Sequence, residues 1–223
     1  MKKIDLKPIA KKKTTKEIVY ENLKRSILTG SINKKEILTE TMLSETLEIS
    51  RTPIREAVAD LIKEGLLVQI PRKGFHVREI TESEKEQIMF LRLSIETEGL
   101  KKLVPNITKE QLQSLRKIVS EQEQEMLHND PVTYIELDQI FHRQILSFAN
   151  QNLLEQILQE MYNLTRLLGH HALMKEGRMA EVIQEHKQIL HALENNDSSK
   201  AVQLMERHLE ITKSNVNTEK DNS

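Results

Sequence analysis

Asp138 and His142 stand four residues apart in Tyr134–Phe148, where Tyr134, Leu137, Phe141, Ile145 and Phe148 recur at helical spacing. The two polar side chains therefore share one face of a helix. Two more histidines interrupt apolar stripes. His186 stands with Val182, Ile189 and Leu193, and His208 with Ala201, Met205 and Thr212. A buried imidazole needs a polar partner. One carboxylate and three imidazoles from three helices are a fitting donor set for Zn2+, Ni2+ or another divalent transition metal, with positions left for water or a ligand oxygen. The same pattern also suits three core histidines, each bonded to a neighbour, and spacing alone leaves both readings open. His170 and His171 fall at an expected helix break, and His191 lies off the face of His186.

A second group offers different chemistry. Arg51, Thr52 and Arg55 lie at the start of a helical pattern whose buried stripe is Ile54, Ala57, Val58, Leu61 and Ile62. They are on the opposite side from that stripe. Arginine bonds bidentately to guanine, and hydroxyls reach phosphates. Arg72 and Lys73 sit in a turn, Pro71–Gly74, between the short apolar runs 66–70 and 75–77, which read as a β-hairpin.

The elements that position these residues can be read outward from them. A first helix begins at Thr14 or Thr15 and is stopped by Gly30. Thr39 is the expected N-cap of a second, Glu40 to Leu47. Glu48-Ile49-Ser50 forms a turn, Ser50 caps the third helix, and Gly65 ends it. Helix, short helix, turn, helix and hairpin make a winged helix-turn-helix. Beyond Thr81, the expected N-cap before Glu84, the pattern is helical nearly throughout. Breaks are expected at 105–108, 128–131, 150–152, 169–177 and 195–197, giving six or seven helices. The expected fold is mainly α: a winged helix-turn-helix followed by an all-α bundle. Its divisions are a basic arm over 1–13, a DNA-binding unit over 14–79, a helical unit over 80–216 and a polar tail over 217–223.

Composition agrees. Only 3% of the 223 residues are aromatic, which favours helix packing built from aliphatic side chains. Cysteine is absent, which excludes disulfides, thiolate metal sites and cysteine catalysis. The basic N-terminus is followed by no apolar stretch of the kind a signal peptide needs, and no run is long enough to span a membrane, so a cytoplasmic protein is expected. The net charge of −1 divides into +6 over residues 1–80 and −7 over 81–223. A basic head suits phosphates.

The run Ser50-Arg51-Thr52-Pro53-Ile54-Arg55-Glu56-Ala57, with Leu38-Thr39-Glu40 before it and Glu64-Gly65-Leu66 after it, resembles the GntR family of bacterial repressors. The resemblance implies a DNA surface of Thr39, Glu40, Ser50, Arg51, Thr52, Arg55, Arg72, Lys73 and the wing-tip Gly74. Many relatives carry Arg where this chain has Thr41, which puts one DNA contact in doubt. The segments 138–142, 185–190 and 205–209 resemble the FCD effector domain of the FadR subfamily. This implies that Asp138, His142, His186 and His208 bind a metal that helps hold a small carboxylate effector. It also implies that Arg92 approaches the effector, an ion pair with Glu96 at i+4 being the other role open to it. Together the resemblances cover residues 14 to 212. The expected protein is a homodimeric repressor on a palindromic double-stranded operator, since a single winged helix makes a small interface. Two rivals are a metal-dependent, hydrolase-like enzyme and an architectural DNA-binding protein with a structural metal. Against the enzyme stand the lack of a recognisable general base and an unexplained DNA-binding head.

Overall fold

A computed structural model describes residues 13–173, 175 and 177–217; for 168–173 and 217 it describes the backbone alone. The basic arm, apart from Lys13, and the polar tail, apart from Asn217, lie outside the described residues.

The head consists of α1 (Thr15–Leu28), α2 (Glu40–Leu47), α3 (Arg51–Lys63) and the antiparallel strands β1 (Leu67–Ile70) and β2 (Gly74–Val77). Thr14 and Glu17 form a capping box at the start of α1, so two otherwise orphaned N–H groups are satisfied reciprocally. Thr39 caps α2 by accepting from the Met42 N–H. Ser50 departs from expectation: it occupies the N-cap position of α3, but its hydroxyl accepts no hydrogen bond from the helix. A cap accepts from the second or third residue, and the third here is Pro53, which has no N–H. Leu66 is not part of the strand, because its N–H bonds back to Leu61 and closes α3.

Leu38 exchanges both backbone hydrogen bonds with Phe75, at 2.8 and 3.0 Å, and so lies against the hairpin. Gly74 is required there. Its φ is +134°, and a Cβ on it would lie 2.1 Å from the Leu38 carbonyl oxygen. Val19, Leu23, Ile54, Ala57, Leu61, Leu66, Phe75 and Val77 fill the core of the head.

The bundle consists of α4 (Glu82–Leu103), α5 (Lys109–Leu127), α6 (Pro131–Phe148), α7 (Asn152–Leu173), α8 (Arg178–Glu194) and α9 (Ser198–Asn217), with a short 3-10 turn at Val104–Asn106. The break expected from Gly169 is delayed, since α7 continues to Leu173 and His170 and His171 lie on helical backbone. One glycine costs a helix only about 1 kcal/mol, too little to end a long one. Gly99 lets α4 press against α6: a Cβ there would lie 2.6 Å from Leu146 Cδ2. Among the described residues no helix is long and apolar enough to cross a membrane.

Head and bundle share apolar contacts. Val132 of α6 and Leu167 of α7 belong to the same buried cluster as the core of the head.

Candidate metal centre and nucleic-acid interface

Asp138, His142, His186 and His208 meet inside the bundle, each offering a ligand atom within 4.8 Å of the others. The three histidines are at most 2% exposed. His142 Nε2 lies 3.9 Å from one Asp138 oxygen and His186 Nε2 lies 3.6 Å from the other. The imidazole centroids are 5.1–5.2 Å apart, and His186 also stacks on Phe141 at 4.2 Å.

Each ring is held from behind. Glu96 Oε2 of α4 lies 2.6 Å from His142 Nδ1, out of line for a hydrogen bond. Gln122 Oε1 of α5 is 3.0 Å from His186 Nδ1, and the amide nitrogen of Gln122 donates to Asp138 at 3.3 Å. Glu185 Oε2 of α8 is 2.6 Å from His208 Nδ1. Such outer partners fix the ring orientation of metal-bound histidines. His186 Nδ1 is engaged by Gln122, and the Nε2 atoms of His142 and His186 are buried without a hydrogen-bond partner. Unpartnered inner nitrogens, three neutral-capable imidazoles and a carboxylate fit a divalent transition metal, so the cluster could hold one.

The electrostatics agree with that donor set. Burial, followed by the neighbouring His208 and His142, pushes His186 well below the ordinary histidine range. Burial also lowers His208, against the raising effect of Glu185. Neutral imidazoles are the form that ligates. Burial alone would raise Glu96, but Arg92 and His142 outweigh it and hold the carboxyl well below the usual range.

A cavity of about 50 Å3 adjoins the cluster, with Arg92, Asp138, Gln139, Thr165, Arg178 and His208 among its lining residues. Arg92 donates from Nε to Glu96 at 2.7 Å and lies over the Tyr162 ring, yet its Nη2 is buried without a partner. The i+4 ion pair is thus formed while the guanidinium still borders the cavity.

In the head, Arg51, Thr52 and Arg55 are exposed at the start of α3. Glu40 of α2 accepts from Arg55 Nε at 3.1 Å and Nη2 at 3.0 Å, and from Arg51 Nη2 at 3.2 Å. Arg55, then Arg51, draws Glu40 below its ordinary range. Arg72 (φ 63°) and Lys73 are exposed at the hairpin tip. Thr39 is occupied as a cap, Ser50 is exposed, and Gly74 serves the packing of Leu38.

Glu96, Gln122, Arg178 and Glu185 were not singled out as site residues from sequence. The i+4 spacing of Arg92 and Glu96 was the one available signal, and it suggested only an ion pair.

Known proteins align with this arrangement along nearly its whole length. Residues 15–77 match the bacterial regulatory proteins of the gntR family, and residues 87–211 match the FCD domain. An uncharacterized HTH-type transcriptional regulator of Bacillus subtilis, YdhC, is 27% identical over 191 residues, 85% of each chain. The Escherichia coli HTH-type transcriptional repressor RspR is 24% identical over 92% of this chain and 90% of its own length. Among solved structures, a putative GntR regulator from Rhodococcus superposes with a TM-score of 0.74 at 21% identity, covering 92% of this chain and 98% of that one. E. coli McbR/YncC superposes at 0.68 and 22% identity, covering 89% and 95%.

Proposed function

Because the chain belongs to the GntR family of bacterial transcriptional regulators and joins a DNA-binding helix-turn-helix head to an FCD domain, we propose that it is a cytoplasmic, homodimeric repressor. Its grip on a palindromic operator is set by a small carboxylate bound beside a divalent metal. Residues 14–79 form the DNA-binding unit, and residues 80–216 the effector and dimerisation unit. Arg51, Thr52 and Arg55 read bases or phosphates, and Arg72 and Lys73 meet the backbone beside them. Glu40 holds both reading arginines in one orientation.

The observation that carries the effector reading is the unpartnered Arg92 Nη2 beside the Asp138, His142, His186 and His208 cluster. These four residues would hold Zn2+ or Ni2+. Bound there, the metal supplies a Lewis-acidic position for a carboxylate oxygen. Arg92 orients the carboxylate, Glu96 and Glu185 orient their histidines, and the buried walls exclude water. The DNA-binding head joined to this cluster favours a ligand-binding role over a hydrolytic one.

The ligand needs a route to the head, and α6 provides one. It carries Asp138 and His142 at the cluster, and Asp130 and Val132 at the head. Gln139 borders the cavity and accepts from Arg166 Nε at 2.7 Å; the next residue, Leu167, packs in the core of the head. A ligand that binds two placements of α6 and α7 unequally shifts the head between them. The test is a binding-site selection from random DNA with purified protein. A palindromic consensus is expected, and enrichment without a consensus would leave the architectural reading instead.

A further inference from the structure

The charges around the cavity specify its ligand further. Among the described residues, Arg92, Asp138 and Arg178 supply the fixed charges that line it. Arg178 is closed off: its terminal nitrogens take Glu185 at 2.7 and 2.9 Å, and they also reach Glu181 at 3.2 Å and Thr212 at 3.5 Å. Arg92 is balanced by Glu96 through Nε, which leaves terminal donors for a ligand. The two guanidiniums thus head parallel chains, Arg92–Glu96–His142 and Arg178–Glu185–His208, and only the first is open at its cavity end.

With both arginines neutralised internally, Asp138 would be the uncompensated lining carboxylate beside a bound metal. A divalent ion less one carboxylate leaves a single positive charge in a buried site. One monoanion cancels it. A dianion would leave a net negative charge away from water, which is costly. Donors for a second carboxylate are also engaged elsewhere. Gln139 donates to the Tyr162 carbonyl at 3.3 Å, and the Thr165 hydroxyl donates to the same oxygen at 3.2 Å. The cavity, about 50 Å3, is roughly a third of one that takes a benzene ring.

We infer that the ligand is a small monocarboxylate of two or three carbons, selected against dicarboxylates by the charge that Glu96 and Glu185 cancel. The inference rests on the effector reading above. It is tested by calorimetry on the zinc-loaded full chain, with acetate, lactate and malonate as probes and zinc content measured for every sample. Acetate and lactate are expected to bind at least about tenfold more tightly than malonate. Glu96→Gln leaves Arg92 unbalanced and should narrow or reverse that preference. Malonate binding as tightly as the monoacids in the unaltered protein would overturn the inference while leaving a carboxylate site in place. If the variant loses zinc, the comparison in the unaltered protein decides alone. Binding of none of the three acids would overturn the effector reading and this inference together.

Discussion

Arg25 of α1 donates to Asp130 at 3.0 Å, and Asp130 caps α6, the helix that carries Asp138 and His142. One residue therefore caps the helix that carries two of the candidate ligands and fastens it to the DNA-binding head. Asp130 accepts from the Val132 and Thr133 N–H groups while its carboxylate faces Arg25.

The two partners should separate on mutation. Arg25 is 55% exposed, so Arg25→Ala should change thermal stability by only about 0–1 kcal/mol. Asp130→Ala also removes a cap, at about 1 kcal/mol more. In DNA titrations of zinc-loaded protein, Arg25→Ala should reduce the change in affinity caused by saturating lactate. An undiminished change would exclude this contact from the coupling.

Arg55→Ala should cost about 1–3 kcal/mol of specific affinity if Arg55 reads a base. Glu40→Ala frees both Arg51 and Arg55 and removes a negative charge near phosphates. Binding to scrambled DNA should then hold or rise while the ratio of selected to scrambled affinity falls. An unchanged ratio in the Glu40 variant would mean that Glu40 does not orient the arginines on DNA.

At the candidate metal centre, His186→Ala removes a proposed ligand and should abolish stoichiometric zinc. Gln122→Ala keeps all four ligands but loses the group joining His186 to Asp138. Zinc affinity should fall about 10–100-fold, read by competition with a chelator. Equal affinity in the Gln122 variant would reduce that residue to packing.

Local chemistry made most of the scaffold readable in the sequence. Thr14, Thr39 and Thr81 announce helix starts that the structure places one residue later, and Gly30 and Gly65 adopt positive φ just beyond α1 and α3. The three histidines were visible because each displaces an aliphatic residue from a stripe. The groups behind them were not. Gln122 and His186 are 64 positions apart, and a polar residue on a long helix reads as solvated until its neighbours are known. Ser50 keeps the cap position without the bond, and the missing N–H of Pro53 removes one of its two possible donors.

Glu84 gives a pH signature at the junction. Hydrogen bonds from the Thr81 backbone and hydroxyl, then from Arg78, lower its pKa to about 2 from 4.5. The folded state therefore favours ionised Glu84. Its contribution to stability is complete above pH 4.5 and is lost as pH falls toward 2. The stability difference between the unaltered protein and Glu84→Gln should be constant above about pH 5 and shrink below it. A difference independent of pH in chemical melts would contradict the assignment.

The central claim is that a metal-bound carboxylate controls DNA affinity, and fluorescence anisotropy tests it most directly. Selected operator DNA is titrated with zinc-loaded protein, with and without saturating lactate, beside His186→Ala. The account predicts a several-fold shift in Kd with lactate for the unaltered protein and none for the variant. An identical Kd with and without lactate, under conditions where calorimetry shows the acid bound, would contradict it.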